Sequence, residues 1–246
     1  MKKLHFVFMG KGGVGKTTVS SLMAQYCDEN NIKTLKIDTD QVNASFAAFK
    51  ALNVDKLQIM QDNNIDPRGW DVLVERLYKS KTSAIIDNGA SSFIPLLGYA
   101  LENELVELLT GDENTEVYFH IIIAGGEGLG HCLTGMTSII TQFKNTPAKY
   151  VIWLNPFLGA IEKEGKNFLE FPEFLEIEEN IEAIISLPKY SSATFGEDMA
   201  YLLSNNLTFK EVEKGDVPGI NIASRHRYSK IKKEIYNMLS AAQIFE

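Results

Sequence analysis

The amino-acid sequence predicts an α/β fold in which helices cover both faces of a mostly parallel, doubly wound sheet. Two observations lead to this prediction: strand-like and helix-like segments alternate along the chain, and a glycine-rich turn joins the first strand to the first helix. The chain has 246 residues and is 45% hydrophobic, so it is large enough to bury a sizeable core. No repeat, low-complexity tract or Pro/Gly/Ser-rich linker interrupts it, and we expect a single domain over residues 1–246.

Seven short apolar runs are the candidate strands of this sheet. They are Leu4–Met9, Lys33–Asp38, Leu57–Met60, Ser83–Asp87, Val117–Ala124, Lys149–Asn155 and Ile181–Leu187.

Helical periodicity and capping signals place helices between these strands. Asp66 is an N-cap candidate directly before Pro67, which suits the first position of a helix that runs to Lys79. The segment between residues 159 and 180 is acidic and weakly periodic, which predicts a loop with short helical turns. The other helix-like stretches are Thr18–Cys27, Ile94–Leu109, Cys132–Phe143 and a C-terminal helix over 223–244.

The turn after the first strand fits the phosphate-binding pattern GxxxxGK[ST] in full. Its glycines permit backbone conformations that turn N–H groups toward phosphate oxygens, and the following helix directs its positive end to the same place. Lys16 adds a cation for the β- and γ-phosphates, and the Thr17 hydroxyl is the expected Mg²⁺ ligand. The predicted nucleotide-binding residues are Gly10, Lys11, Gly12, Gly13, Val14, Gly15, Lys16, Thr17 and Thr18.

Three aspartates close predicted strands at the edge where parallel sheets bind ligands. Asp38 and Asp40 follow the second candidate strand, and Asp87 ends the fourth. A carboxylate there can serve a bound metal ion and the reacting phosphate. An aspartate at the end of a strand is also a common helix N-cap or turn residue, and this alternative is weakest for Asp87 and strongest for Asp40.

The string KGGVGKTT, from Lys11 to Thr18, resembles the deviant phosphate loop of the ParA/MinD group of dimeric ATPases. The resemblance implies ATP and Mg²⁺ as cofactors and a nucleotide-dependent homodimer in which Lys11 reaches the partner's nucleotide. It implies that Asp38 orients the attacking water, so that Lys11, Lys16 and Asp38 are the catalytic residues. It also implies that Thr17, Asp38 and Asp87 hold the metal, the two aspartates through water. Gln41 stands where partition ATPases usually carry proline.

The predicted base-binding end of the site favours adenine. Asn155 closes a buried strand, but Leu158 stands where a guanine-specific [NT]KxD motif would place its aspartate. By the same resemblance, Asn155 would touch the adenine and Pro188 would lie beside the ring. A plain strand-capping role for Asn155 remains open.

Several longer segments, among them IDTDQVNASFAAFKALNV, IIDNGASSFIPL and VIWLNPF, resemble TraL-type proteins of conjugative plasmids and the related StbC-type stability proteins. This resemblance implies an ATPase accessory to plasmid conjugation or maintenance, with a conjugation or partition protein as its partner. Two other function classes remain open. One is a nucleotide-dependent binding module with negligible turnover, and the other is a small-molecule kinase or ligase on the same scaffold.

Charge and cysteine content limit which compartments and which partners the sequence predicts. The net charge is −8, so nucleic acid or an anionic membrane would have to bind a local patch. Cys27 and Cys132 are the only cysteines, which favours a reduced, cytoplasmic protein, and no stretch reaches the length that stable membrane insertion requires. The C-terminal segment is locally basic. It predicts a docked terminal helix, weak DNA contact through Arg225, Arg227, Lys230 and Lys233, or, as a third alternative, contact with a membrane surface.

Overall fold

A seven-stranded parallel sheet forms the centre of the protein. The computed structural model describes residues 1–61, 64–111, 114–215 and 217–245. In chain order the strands are β1 Lys2–Phe8, β2 Thr34–Asp38, β3 Asp55–Lys56, β4 Met60–Gln61, β5 Asn64–Ile65, β6 Ser83–Asp87, β7 Thr115–Ala124, β8 Lys149–Asn155, β9 Glu162–Lys163, β10 Lys166–Asn167 and β11 Ile181–Ser186. The sheet order is β11-β8-β7-β1-β6-β2-β3, while β4 with β5 and β9 with β10 form small antiparallel pairs.

Helices connect the strands and cover the sheet. They are α1 Lys16–Glu29, α2 Pro67–Lys79, α3 Phe93–Glu102, α4 Leu105–Thr110, α5 Leu129–Phe143, α6 Pro172–Leu175, α7 Phe195–Ser204, α8 Phe209–Lys214 and α9 Ile222–Ala241. Within the described ranges, no helix combines the length and the apolar character needed to cross a bilayer.

Both faces of the sheet are covered, which explains why its central strands are almost continuously apolar. On one face α1 packs against α9, and α9 also contacts α7 and α8. On the other face α2 contacts α3 and α4, and α3 contacts α5. β1 has side chains on both faces of the sheet. Its Phe8 ring lies against Phe93 of α3, and its His5 ring lies against Phe245 near the C-terminal end.

The strand register brings the site residues together. In the sheet Asp87 of β6 pairs with Val7 of β1 on one side and with Asp38 of β2 on the other. The phosphate loop leaves β1 directly after Phe8. The first strand therefore delivers this loop beside the two aspartates, as the order of a parallel sheet predicts.

Three predicted elements differ from the structure. Leu57–Met60 is not a sheet strand; β3 is the edge strand instead. The helix predicted over Ile94–Leu109 is broken into α3 and α4, because Glu104 has a left-handed backbone with φ of 47°. The acidic segment contains short helical turns as predicted, among them α6, and differs from the prediction in the added β9–β10 pair.

Candidate nucleotide-binding site

The phosphate loop is folded as a cradle in front of α1. Gly13 and Gly15 have positive φ angles of 75° and 103°, which glycine adopts without steric cost. The loop borders a cavity of about 490 Å³ at the carboxyl edge of the sheet. Lys16, the first residue of α1, donates from Nζ to the main-chain oxygen of Lys11 at 3.1 Å. Burial lowers the pKa of Lys16, although the charges of Asp87 and Asp40 act in the opposite direction.

Asn155 connects the end of β8 to this loop. Its Nδ2 donates to the Val14 oxygen at 2.9 Å, and its Oδ1 accepts from the Phe157 amide at 3.2 Å. A Cβ atom at Gly15 would lie 2.8 Å from Asn155 Nδ2, so the glycine is needed for this approach as well as for its φ angle. Asn155 thus has a strand-capping contact, and it also fixes the loop against the sheet.

Asp87 is buried behind Thr17, which lines the cavity, and it is held there by two hydroxyl groups of α1. Thr17 Oγ1 donates to its Oδ2 at 2.7 Å, and Ser20 Oγ donates to its Oδ1 at 2.9 Å. Burial raises the pKa of Asp87 to about 7, although both hydroxyl contacts act in the opposite direction. The charge of Lys16 also lowers this pKa, but the two hydroxyl contacts and Lys16 together do not offset the burial of the carboxylate.

The donor set at this point fits a magnesium ion. Mg²⁺ prefers hard oxygen ligands and usually takes only one or two from the protein, keeping waters and phosphate oxygens for the rest. Thr17 Oγ1 and the Asp87 carboxylate are such donors, and a cation beside them would offset the cost of burying Asp87. The residues therefore suit the metal that a bound nucleoside triphosphate carries.

Asp38 ends β2 beside Asp87, and the backbone of its own loop engages its carboxylate. It is completely buried, and its Oδ1 and Oδ2 accept from the amides of Asp40 and Ala47, each at 2.9 Å. Burial raises the pKa of Asp38. Asp38 does not line the phosphate cavity, so this geometry does not favour it as the residue that orients the attacking water.

Asp40 lines the cavity that Asp38 does not reach. Its Oδ1 accepts from the amides of Val42 and Asn43 at 3.0 Å each, and its negative charge acts on Lys16. A Cβ atom at Gly89 would lie 2.7 Å from Asp40 Cγ, so this carboxylate packs directly on the main chain that follows β6. The loops after β2 and β6 meet at this contact.

A second pocket of about 210 Å³ opens on the other side of the phosphate loop. It shares Gly13 and Gly15 with the phosphate cavity, and its walls are mostly apolar. The wall residues include Leu22, Leu187, Pro188, Leu203 and Ile235. Pro188, a predicted base-binding residue, belongs to this wall, and the position and polarity of the pocket suit a flat heterocyclic base.

Lys11 differs from Lys16 in exposure and contacts. It is exposed at the outer lip of the loop, and no ion pair to it occurs in the described part of the chain. Its side chain runs past Gly128, where a Cβ atom would lie 4.0 Å from Lys11 Cε. Its ammonium group is therefore available to a group outside this subunit.

Three polar residues at the site were not predicted from the sequence. Ser20 lies three residues after Thr17 and so faces the same strand end, a spacing that could have identified it. Asn88 bridges the sheet, donating to the Val7 oxygen at 3.3 Å and accepting from Thr39 at 2.9 Å. Ser45 lies 2.8 Å from Thr17 Oγ1, and no motif signals it.

The parallel sheet, the glycine-rich loop and the two linked pockets define a phosphate-loop nucleotide-binding protein. Residues 6–235 match the family described as the CobQ/CobB/MinD/ParA nucleotide-binding domain, and the chain belongs to this family.

Two relatives are similar over nearly the whole chain. Both are named Protein TraL and come from Escherichia coli; they are 36% and 38% identical over 244 and 246 residues, covering 99% of this chain and 100% of each relative. Among solved structures, the MinC:MinD cell division protein complex of Aquifex aeolicus has a TM-score of 0.53 at 13% identity, with 96% of each chain covered. That likeness supports the fold.

Proposed function

We propose that this protein is an ATP-binding and ATP-hydrolysing dimerisation switch that assists plasmid conjugation or maintenance. The proposal rests on one observation: two lysines of the same loop have different surroundings. Lys16 faces the phosphate cavity from the start of α1, whereas Lys11 is exposed beside it without an ion pair in the described ranges. A cation at the rim of a phosphate site is well placed to meet the phosphates of a facing subunit.

The residues around the cavity have separate tasks in this proposal. The loop amides and Lys16 hold the β- and γ-phosphates, and Thr17 with Asp87 holds the metal. The metal, when bound, neutralises charge that develops on the phosphate oxygens. Lys11 of one subunit adds positive charge to the nucleotide of the other, so that the complete site forms only in the dimer.

In this proposal Asp40 replaces Asp38 as the carboxylate that orients the attacking water. A residue in this role must reach the cavity and keep an acceptor free for the water. Asp40 lines the cavity, and only its Oδ1 accepts the amides of Val42 and Asn43. Asp38 has both oxygens committed to main-chain amides, which suits a structural role in the same loop.

The base pocket supports adenine as the base. Its walls are apolar, and Leu158 lies at the position where a guanine motif would supply a carboxylate. The plasmid-related role comes from the TraL relatives, which match this chain over their full length.

The test is a measurement of molecular mass by light scattering without nucleotide, with ADP and with ATP. The wild-type protein should be monomeric without nucleotide and dimeric with ATP. Lys11→Ala should still bind ATP but should neither dimerise nor hydrolyse it. Lys33→Ala is the matched control, because Lys33 is an exposed lysine that precedes β2 at the opposite edge of the sheet.

Turnover measurements separate the alternatives. ATP-dependent dimers without measurable phosphate release would favour a nucleotide-dependent binding module. Phosphate transfer to an added small molecule, without dimers, would favour a kinase or ligase. A Lys11→Ala protein that dimerises normally with ATP would contradict the role of Lys11 across the interface.

A further inference from the structure

The loop between β2 and β3 places a second hydroxyl group at the predicted metal position. We propose that Ser45 is a ligand of the divalent cation that accompanies the nucleotide, so that Thr17 and Ser45 hold this cation together. The inference rests on the nucleotide site proposed above and adds a metal-binding residue that no phosphate-loop motif contains.

The first observation is the contact between the two hydroxyls. Ser45 Oγ lies 2.8 Å from Thr17 Oγ1, and both residues line the phosphate cavity. Thr17 has a single hydroxyl proton, which it donates to Asp87, so Ser45 is the donor in the contact with Thr17. The Ser45 oxygen makes no other hydrogen bond among the residues that the structure describes, which leaves its lone pairs available to a ligand.

The second observation is the spacing of the two hydroxyl oxygens. Bonds of 2.0–2.1 Å in a magnesium octahedron place neighbouring ligand atoms about 2.9 Å apart. Thr17 Oγ1 lies 2.8 Å from Ser45 Oγ, which is close to an edge of that octahedron. The hydroxyl pair can therefore supply two adjacent ligands with little movement.

The third observation is how firmly the loop holds Ser45. Asp38 accepts from the amides of Asp40 and Ala47, so one buried carboxylate ties the start of the loop to its middle, on both sides of Ser45. Phe46, the residue after Ser45, is completely buried in the core. Because a buried ring and a bonded amide directly follow Ser45 in the chain, its side chain has few alternative positions, and such preorganisation favours metal binding.

The test is the affinity of the protein–ADP complex for Mn²⁺, which substitutes for Mg²⁺ and is counted by electron paramagnetic resonance of the free ion. Ser45→Ala should weaken Mn²⁺ binding by at least about tenfold, whereas Ser45→Thr should retain it. Ser229→Ala, which removes an exposed hydroxyl on α9, should bind Mn²⁺ like the wild type. Binding of ADP with chelator present should be the same in all four proteins.

A second variant distinguishes a metal ligand from a structural hydroxyl. Ser45→Cys keeps the size of the side chain but offers a soft sulfur donor, so the ratio of Cd²⁺ to Mg²⁺ affinity should rise by at least about tenfold. Cys27 and Cys132 are buried, so the wild-type protein has little competing thiol. This measurement also covers the case in which Ser45→Ala does not fold.

The outcomes separate this inference from the proposed function. An unchanged Mn²⁺ affinity in Ser45→Ala, or an unchanged metal preference in Ser45→Cys, would overturn the role of Ser45 and leave the nucleotide site intact. A wild-type protein that binds no nucleotide with or without metal would overturn both.

Discussion

Asp38 and Asp40 lie two positions apart, yet their carboxylates have different surroundings. Asp38 is buried and accepts two main-chain amides from its own loop, while Asp40 lies at the wall of the phosphate cavity. A buried carboxylate with two amide partners stabilises the loop, and a partly exposed one in the cavity is free to act on bound nucleotide. The two roles can be separated by experiment.

We predict that Asp40→Ala lowers ATP turnover by about a hundredfold or more while Mg²⁺–ATP binding is retained. Asp38→Ala should instead lower the free energy of unfolding, because it leaves two amide donors without acceptors at a cost of about 1–3 kcal/mol each. Phosphate release and urea denaturation of both variants check this. An Asp38→Ala protein of normal stability without turnover, beside a fully active Asp40→Ala, would assign the water-orienting role to Asp38.

Some contacts of the site could be predicted from the sequence, and others could not. The glycines, Lys16 and Thr17 belong to a contiguous motif whose geometry is local, so their positions follow from the string itself. The difference between Asp38 and Asp40 depends on the amide of Ala47, nine residues from Asp38, and on the close approach of Gly89. Such contacts are set by how two loops meet, which no residue pattern encodes.

At the scale of elements, α9 presents fewer free cations than its basic sequence predicts. Arg227 forms an ion pair with Asp198 of α7, and the Arg225 guanidinium lies over Gly215. Lys230 and Lys233 remain exposed and have no ion pair within the described ranges. With His226 they are spaced at i, i+4 and i+7 and share one face of the helix. The predicted DNA contact, if it uses α9, belongs to this face.

We predict weak, sequence-independent DNA binding that appears only with ATP and depends on Lys230 and Lys233. Replacing both lysines with alanine should weaken binding at low salt. It should also make the slope of log K against log salt shallower by about 0.9 for each DNA phosphate that the variant no longer neutralises. Fluorescence anisotropy of a labelled duplex at several salt concentrations measures both quantities.

Two controls accompany this measurement. Lys50 and Lys56 are exposed lysines outside α9, and their replacement should leave DNA binding unchanged. Arg227→Ala should alter stability more than DNA binding, because Asp198 already neutralises the arginine. If DNA binding is equal in the Lys230/Lys233 variant and the wild type, α9 is only a docked terminal helix.

Sequence periodicity alone does not predict the break between α3 and α4. The apolar pattern continues from α3 into α4, so a single helix is the natural prediction. The break arises because α4 turns to pack against β7 as well as α2, and the left-handed Glu104 makes that turn. Tertiary packing decided this boundary, whereas Asp66 and Pro67 fixed the start of α2 locally.

At the scale of the whole molecule, the core between the sheet and the C-terminal end contains a chain of polar rings. Trp153 Nε1 donates to His120 Nδ1 at 2.9 Å, and His120 Nε2 lies 2.9 Å from His5 Nδ1. Because His120 Nδ1 accepts, its proton is on Nε2, and His120 donates to His5. The His5 ring lies against Tyr118 and Phe245, with centroids 5.1 and 4.7 Å away.

Both imidazoles are neutral in the folded protein. Burial lowers the pKa of His120 to about 3. Burial, with the charges of His120 and Lys3, lowers the pKa of His5 well below its usual value. The unfolded chain has ordinary histidines that take up a proton near pH 6.5. The unfolded state therefore binds protons first as pH falls, and stability is lost below about pH 6.5 until the folded-state pKa is reached.

We predict that each imidazole removes about 2 kcal/mol of unfolding free energy between pH 7 and pH 5. Asp87 acts in the opposite direction, because its pKa is raised to about 7 and the folded state takes up its proton over the same interval. The comparison that isolates His5 is therefore wild type against His5→Phe, because Asp87 and His120 are present in both proteins. Urea unfolding at pH 7, 6 and 5 should show the wild type losing about 2 kcal/mol more than the variant. If the unfolding free energies of the two proteins change equally with pH, His5 is protonated or exposed to solvent in the native state, contrary to what its burial indicates.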